Sequence, residues 1–295
     1  MINLQKKIIV ICLAILLISS LIVSNYITLG KSYNWSINFL TYKFNNDNFQ
    51  NYKIDFVTIY LKSYSKKNYF TEKETKTTKV ANFVYEDTQP TVYIYSTHSN
   101  EEYSYQKNNL YSIIPNVKTA SYILKEELNN LGINVLIEEK NTIDILNSRN
   151  LPYSSAYKIS RELLENAKNN NQDLKYFLDI HRDSVKKNIT TVTIDNLNYA
   201  RIMFVLGLEN PNYKENKEVM TIINDYLNTN YVGLSRGIYE KQGSGVDGLY
   251  NQDFNKNTLL IEIGGIENTI EEVSNSVKVL AKALNYYFQT EIDNK

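Results

Sequence analysis

The chain contains only two histidines, His98 and His181, and each follows a short apolar run. His98 comes just after Thr91–Ser96 and has Glu101 three residues further on, while His181 follows Tyr176–Ile180 in "YFLDIHRDS". An i, i+3 spacing places two side chains on one face of a helical turn. Catalytic zinc commonly takes three protein ligands from His and carboxylate side chains and keeps one position for water. His98, Glu101 and His181 are therefore a candidate zinc-ligand set.

A further carboxylate, Glu262, lies inside the apolar run "LLIEIGG". An unpaired carboxylate is costly to bury, so this position favours a functional role. A carboxylate next to an activated water can accept its proton and pass it to a leaving amine. Glu262 is the predicted general acid–base residue. The structural alternative is a salt bridge to one of three arginines, Arg182, Arg201 or Arg236.

"DIHRDS" offers two more candidates. Asp179 shares a strand face with His181 if the strand continues. Asp179 then either orients the imidazole from behind or replaces Glu101 as a ligand. Arg182 either binds a carboxylate or phosphate of a substrate or pairs with Asp183. The residue pattern leaves these alternatives open, and it also leaves open that each histidine is a hydrogen-bonded structural residue.

A glycine-rich stretch, "QGSGVDGLYNQDF", precedes the last apolar run. It is not a phosphate-binding loop, because no helix opening with Lys-Ser/Thr follows it. We interpret it as a wall near Glu262 and take Asn251 within it as a substrate-binding or supporting residue. An ordinary surface loop is the alternative.

Composition excludes some classes of protein. The 295 residues carry 32 Lys plus Arg and 32 Asp plus Glu, whereas nucleic-acid binders usually show a basic excess. We therefore expect no nucleic acid as a partner. The single cysteine, Cys12, allows no disulfide within the chain and no cysteine-rich zinc site. Any metal site must use histidines and carboxylates.

The N-terminus predicts a membrane anchor. Ile8–Gly30 contains no charged residue and follows Lys6 and Lys7. About 20 apolar residues span a bilayer, and flanking lysines favour the cytoplasmic side. A cleaved signal peptide is the alternative, although no clear cleavage site follows. We expect an anchor at 1–30, a linker or small membrane-proximal region at 31–89 and a catalytic domain at 90–295 outside the cytoplasm.

Strands and helices alternate after Pro90. The predicted strands are short apolar runs, namely Thr91–Ser96, Ile133–Glu138, Tyr176–Ile180, Arg201–Leu206 and Thr258–Ile263. A further run, Thr190–Ile194, is predicted to form a hairpin with Arg201–Leu206 across "DNLN". The predicted helices are Val117–Leu131, Ser154–Lys168, Glu215–Asn228 and Thr269–Glu291. This order predicts an α/β fold with a mostly parallel central sheet flanked by helices.

Three of these strands end near the candidate residues. In open α/β sheets, sites form outside the carboxyl ends of the strands. If the strands before His98 and His181 and the strand that carries Glu262 are parallel neighbours, the three side chains can converge.

Several motifs together resemble the stage II sporulation protein P family of endospore-forming bacteria. They include "IYSTHSNEEY", "YILKEELNNLGINV", "YFLDIHRDS", "YVGLSRGIY", "YNQDF" and "LLIEIGGIENTIEEV", in that order, and they cover the chain from about Pro90 to Leu284. The resemblance implies a zinc-dependent N-acetylmuramoyl-L-alanine amidase fold that acts on peptidoglycan, and the family is also linked to endopeptidase cleavage of crosslinks. His98, Glu101 and His181 match its metal-ligand pattern, and Glu262 matches its catalytic glutamate.

The resemblance also implies a role in forespore engulfment. The implied partners are peptidoglycan, a lytic transglycosylase (stage II sporulation protein D) and a membrane protein (stage II sporulation protein M). The predicted N-terminal anchor suits this family.

Two positions depart from the family pattern. The family commonly reads His-Thr-His where this chain has Ser96-Thr97-His98. Amidases of the broader fold take a Glu ligand from just before the first long helix, where this chain reads "SIIPNV". Glu101 or Glu102 must then supply the carboxylate. The missing histidine also motivates an alternative function, a wall-binding or scaffold protein on the same fold.

Overall fold

The computed structural model describes residues 89–104 and 114–293. The predicted anchor at 1–30 and all but the last residue of the predicted linker at 31–89 lie outside the described residues. Within 89–104 and 114–293, no helix is both long enough and apolar enough to cross a membrane.

Eight strands and six α-helices make up the described part of the chain. The strands are β1 (Val92–Tyr95), β2 (Val135–Ile137), β3 (Tyr176–Asp183), β4 (Thr191–Ile194), β5 (Leu197–Ala200), β6 (Ile202–Gly207), β7 (Ser235–Lys241) and β8 (Thr258–Gly265). The helices are α1 (Val117–Asn130), α2 (Thr142–Ser148), α3 (Ala156–Asn170), α4 (Lys187–Thr190), α5 (Tyr213–Asn230) and α6 (Ile270–Asp293). Short 3₁₀ turns lie at Tyr153–Ser155 and Gln252–Phe254.

Six of the strands form one central sheet in the order β2-β1-β3-β8-β6-β7. Every neighbouring pair is parallel except β6 and β8, which run antiparallel. The predicted mostly parallel sheet is therefore confirmed. The strand β8 lies between β3 and β6, so it is buried at the centre of the sheet although it comes near the end of the chain.

Helices cover both faces of the sheet. On one face, Leu164 and Ala167 of α3 pack with Tyr93, Tyr95 and Phe177 of β1 and β3. Side chains alternate along a strand, so the buried residues at the intervening positions of β1 and β3 point to the other face. There α6 contacts both α1 and α5, and all three helices contact the sheet.

The predicted hairpin is present, but its predicted partner strand is wrong. The strand β4 pairs with β5, from Ile194↔Leu197 to Thr191↔Ala200, in a separate two-stranded sheet. Asp195 and Asn196 form the connection with φ of 50° and 63°. A two-residue hairpin turn of type I′ requires φ above zero at both positions, which Asn and Asp tolerate. The chain therefore turns back at once, and the run that follows, β6, joins the central sheet instead.

Candidate active site

The central sheet brings the two histidines and Glu262 to one end of three adjacent strands. The strands β1, β3 and β8 are parallel neighbours, and His181 and Glu262 are register partners. His98 lies three residues beyond the end of β1. The imidazole rings of His98 and His181 meet edge to face, with centroids 5.2 Å apart and planes at 86°.

Two carboxylates flank the ring of His181, which is buried. Its Nδ1 lies 3.5 Å from Glu101 Oε2, and its Nε2 lies 3.0 Å from Asp179 Oδ1. The second contact has the distance but not the direction of a hydrogen bond, so Nε2 has no hydrogen-bond partner among the described residues. Burial alone would lower the pKa of His181, but the charges of Asp179 and Glu101 outweigh it and raise the pKa well above 6.5.

Asp179 is fully buried and accepts two hydrogen bonds from Thr97, the residue next to His98. Its Oδ1 accepts a hydrogen bond from the backbone N of Thr97 at 2.8 Å, and its Oδ2 accepts one from Thr97 Oγ1 at 2.6 Å. The Asp179 carboxylate therefore links the segment that carries His98 to the strand that carries His181. Sequence reasoning missed Thr97, although its position directly before His98 could have indicated a supporting role.

Glu101 is held in position by the backbone of its neighbours. Its Oε2 accepts a hydrogen bond from the backbone N of Arg182 at 3.0 Å, and its carbonyl accepts one from the backbone N of Val117 at 2.9 Å. Burial would raise the pKa of Glu101, but His181 and the Arg182 amide lower it below 4.5. The Val117 contact places Glu101 against the start of α1.

The guanidinium of Arg182 does not form the alternative ion pair with Asp183. Its Nε donates to the carbonyl of Glu102 at 3.0 Å. Asp183 forms its ion pair with Arg236, at 2.7 Å. A substrate-binding role for Arg182 stays a prediction.

Two tyrosines surround His98. The ring of Tyr153 stacks on the imidazole with centroids 4.8 Å apart and planes at 13°, and Tyr157 meets it edge-on at 5.6 Å. His98 Nδ1 is buried and has no hydrogen-bond partner within the described ranges. Burial, followed by the charge of His181, lowers the pKa of His98 below 6.5. Sequence reasoning missed both tyrosines, because α3 and the 3₁₀ turn before it supply them from a separate part of the chain.

Glu262 does not form the salt bridge that was the structural alternative to a catalytic role. Among the described residues it forms no ion pair, since Arg236 pairs with Asp183 and Arg201 donates to backbone carbonyls, including that of Gly233. Its Oε2 is buried without a hydrogen-bond partner in this part of the chain. Burial raises the pKa of Glu262 to about 7. A carboxyl group with that pKa can both accept and donate a proton near neutral pH.

The glycine-rich loop packs closely against the sheet. A Cβ on Gly207 would lie 2.2 Å from the carbonyl oxygen of Gly248, so the close approach requires glycine at position 207. Glu209 Oε1 accepts a hydrogen bond from the Gly243 amide at 2.9 Å. The charge of Asp247 acts on the pKa of His98, which agrees with a loop that lies beside the site.

Asn251 supports the site from inside the protein. Its side chain is buried, and its Nδ2 donates to the Tyr157 carbonyl at 3.1 Å and to Ser160 Oγ at 2.9 Å. Ser160 Oγ lies 2.9 Å from Thr97 Oγ1. This geometry favours the supporting role of Asn251 over direct contact with a substrate.

The donor atoms suit a zinc ion, although no group of three or more His, Cys, Asp or Glu side chains in residues 89–104 and 114–293 already has the arrangement of a metal site. Two ligands of one tetrahedral zinc lie about 3.3 Å apart, close to the 3.5 Å between His181 Nδ1 and Glu101 Oε2. His98 Nδ1 is a third donor without a partner among the described residues. Asp179 on the opposite nitrogen of His181 resembles the carboxylate that commonly orients a zinc-bound histidine.

Comparison with known proteins gives the family. The sequence matches the family model of Stage II sporulation protein P (SpoIIP) over residues 33–285. The chain belongs to this family. It is 33% identical over 196 residues to stage II sporulation protein P of Bacillus subtilis (strain 168), an alignment that covers 64% of this chain and 49% of that protein. The chain thus spans about half the length of the curated relative that it matches.

Two solved structures are also similar. One is N-acetylmuramoyl-L-alanine amidase AmiC2 of Nostoc punctiforme, with 11% identity and a TM-score of 0.40 over 69% of this chain and 99% of that one. The other is the CwlD amidase from Clostridioides difficile in complex with the GerS lipoprotein, with 15% identity and a TM-score of 0.41 over 70% of this chain and 100% of that one.

Proposed function

We propose that this protein is a zinc-dependent peptidoglycan hydrolase that cleaves the amide between N-acetylmuramic acid and the L-alanine of the stem peptide. The observation that carries the proposal is the convergence of His98, Glu101, His181 and Glu262 at one end of three neighbouring parallel strands. Membership of a sporulation protein family agrees with a cell-wall substrate.

His98, Glu101 and His181 would hold the zinc. A bound zinc ion would supply Lewis-acid polarisation of the amide carbonyl and activation of a water molecule. Asp179 would keep the imidazole of His181 oriented, and the Arg182 amide would keep the Glu101 carboxylate in place.

Glu262 would move the proton. Its carboxylate would take a proton from the attacking water and give it to the departing nitrogen of L-alanine. Hydrolysis then leaves a carboxylate on the muramic acid side and a free amine on the peptide. The pKa of about 7 supports both halves of this transfer.

The proposed cellular role is the one implied by membership of the family. Cleavage would take place during forespore engulfment, with the predicted anchor at 1–30 holding the catalytic domain outside the cytoplasm. Stage II sporulation proteins D and M are the proposed partners, and crosslink endopeptidase activity is a proposed second reaction.

The decisive test is a digest of purified peptidoglycan by the full chain with and without a chelator. We expect free stem peptides, identified by mass spectrometry, that disappear with chelator and return when zinc is restored. Split crosslinks would add endopeptidase activity. If no product forms even with zinc and a glycan-cleaving partner present, the proposal is wrong and a wall-binding protein becomes the better description.

Asp179→Asn should weaken zinc binding about 10- to 100-fold, because it removes the charge behind the imidazole of His181. It should also lower the free energy of unfolding by about 1–3 kcal/mol, since Thr97 donates to both carboxylate oxygens. Competition with a chromophoric chelator measures the affinity, and urea denaturation measures the stability.

The matched control is Asp253→Asn, which removes a half-exposed ion pair with Arg161. We expect zinc affinity to be unchanged in that variant. Equal zinc affinity in Asp179→Asn and the parent would show that Asp179 does not support the metal site.

A further inference from the structure

Lys241 lies on the face of the sheet that carries Glu262. Lys241 ends β7, and its Nζ lies 5.6 Å from the ring centroid of Tyr239 and 5.9 Å from that of Tyr250. In the described part of the chain it forms no ion pair. Contacts of this kind hold an ammonium group over an aromatic face while leaving its three donors free.

The neighbouring carboxylates are engaged elsewhere. Glu240 forms an ion pair with Lys217 at 2.7 Å. Glu209 accepts a hydrogen bond from the Gly243 amide, and Asp247 accepts hydrogen bonds from the amides of Leu249 and Tyr250. None of these three carboxylates forms an ion pair with Lys241.

Lys241 lies on the same face of the sheet as Glu262. In the register, Val205 pairs with Tyr239 and Gly207 with Lys241, and Met203 pairs with Glu262. Register partners point to the same face and side chains alternate along each strand. Met203 and Val205 pack together with Tyr250 and Leu260, which places all of these groups on one face.

An aromatic chain connects this lysine to His98. Tyr250 meets Tyr157 edge-on at 5.4 Å, and Tyr157 meets His98 at 5.6 Å. The positive charge of Lys241 also lowers the pKa of Glu262, against the larger effect of burial. Tyr239 is 56% exposed, so the ring and the ammonium together present an open surface on the face of the sheet that carries Glu262.

We propose that Lys241, supported by Tyr239 and Tyr250, forms a subsite that binds a carboxylate of the substrate. This proposal depends on the proposed function, since the carboxylate is one of those on the acidic stem peptide. An ammonium group with three free donors matches a carboxylate in charge and hydrogen bonding. The exposed ring of Tyr239 would contact the apolar part of the same peptide.

The test measures binding and hydrolysis separately. The full chain, purified in mild detergent, is titrated with a soluble muropeptide that has free carboxylates and with the same compound after its carboxylates are amidated. Binding is measured by calorimetry in Glu262→Gln, so that the ligand is not consumed, and hydrolysis is measured in the parent. Each measurement is repeated with Lys241→Met and Lys241→Arg, and with Lys214→Met as the control for an exposed lysine on α5.

We expect Lys241→Met to raise the Kd of the free-carboxylate compound about tenfold, the order expected for one charge-assisted hydrogen bond. The preference over the amidated compound should disappear in that variant. Lys241→Arg should keep most of the affinity, because it keeps the charge, and Lys214→Met should match the parent. Circular dichroism of the variants checks that the fold is retained.

The outcomes separate this proposal from the proposed function. An unchanged Kd and an unchanged preference in Lys241→Met overturn the subsite, even if the parent hydrolyses peptidoglycan. Loss of preference in Lys241→Met supports the subsite, even if the parent releases no stem peptide, and in that case only the proposed reaction fails. A Glu262→Gln protein with Lys241 intact that binds both compounds equally, or neither, also overturns the subsite.

Discussion

Glu262→Gln should lower the rate of stem-peptide release by about 10²- to 10⁴-fold, the usual contribution of a positioned general acid–base. Glutamine has nearly the same shape but cannot accept the proton of the attacking water. The zinc content of the variant should equal that of the parent, because Glu262 is not among the proposed ligands. The measurement is a peptidoglycan digest with product quantification, together with metal analysis of each protein.

Glu240→Gln is the matched control, because it removes an exposed carboxylate that pairs with Lys217 on the surface. We expect it to digest peptidoglycan at the parent rate. A Glu262→Gln protein as fast as the parent would exclude proton transfer by Glu262. A slow variant that had also lost its zinc would instead assign Glu262 a part in holding the metal.

The same substitution should change how stability depends on pH. The pKa of Glu262 is about 7 in the folded protein and 4.5 for an unperturbed side chain. The folded state therefore holds this proton more tightly, and the stability that it contributes is complete below pH 4.5 and is lost as the pH rises through 7. Since one pKa unit corresponds to about 1.4 kcal/mol, the loss amounts to about 3 kcal/mol.

Glu262→Gln has no proton to lose at this position, so its stability relative to the parent should increase by about 3 kcal/mol between about pH 4 and pH 8. Urea denaturation of the metal-free proteins over this range gives the difference. Glu262→Met also lacks a titratable group and should show the same slope, which separates the effect of the proton from hydrogen bonding by glutamine. A difference that does not vary with pH would mean that burial does not perturb this carboxyl group.

The parts of the fold that sequence predicts are those marked by local patterns. The apolar runs that became β1, β3, β6 and β8 were predicted because the strands are buried on both faces. The strand β7 was missed, because "SRGIYEK" is half polar and lies at the edge of the sheet. The hairpin was predicted with the wrong partner, since apolar content alone does not show where a two-residue turn returns the chain.

The residues of the candidate site also differ in whether a local sequence pattern marks them. His98, His181 and Glu262 could be selected because polar residues stood out at the ends of apolar runs, and the structure brings them together. Tyr153, Tyr157 and Ser160 could not be selected, since their roles depend on how α3 and the 3₁₀ turn before it pack across the sheet. The sequence identified Arg182 as a candidate substrate-binding residue or a partner of Asp183. Only the structure shows that Asp183 pairs with Arg236.

The central position of β8 has a consequence for how the protein folds. It is the last strand in the chain, yet it separates β3 from β6, so the middle of the sheet cannot close until almost all of the chain has been synthesised. Until then β3 and β6 each present an unpaired edge, and unpaired edges are templates for association between chains. Chains that end before Thr258 are therefore expected to aggregate instead of forming a smaller folded domain.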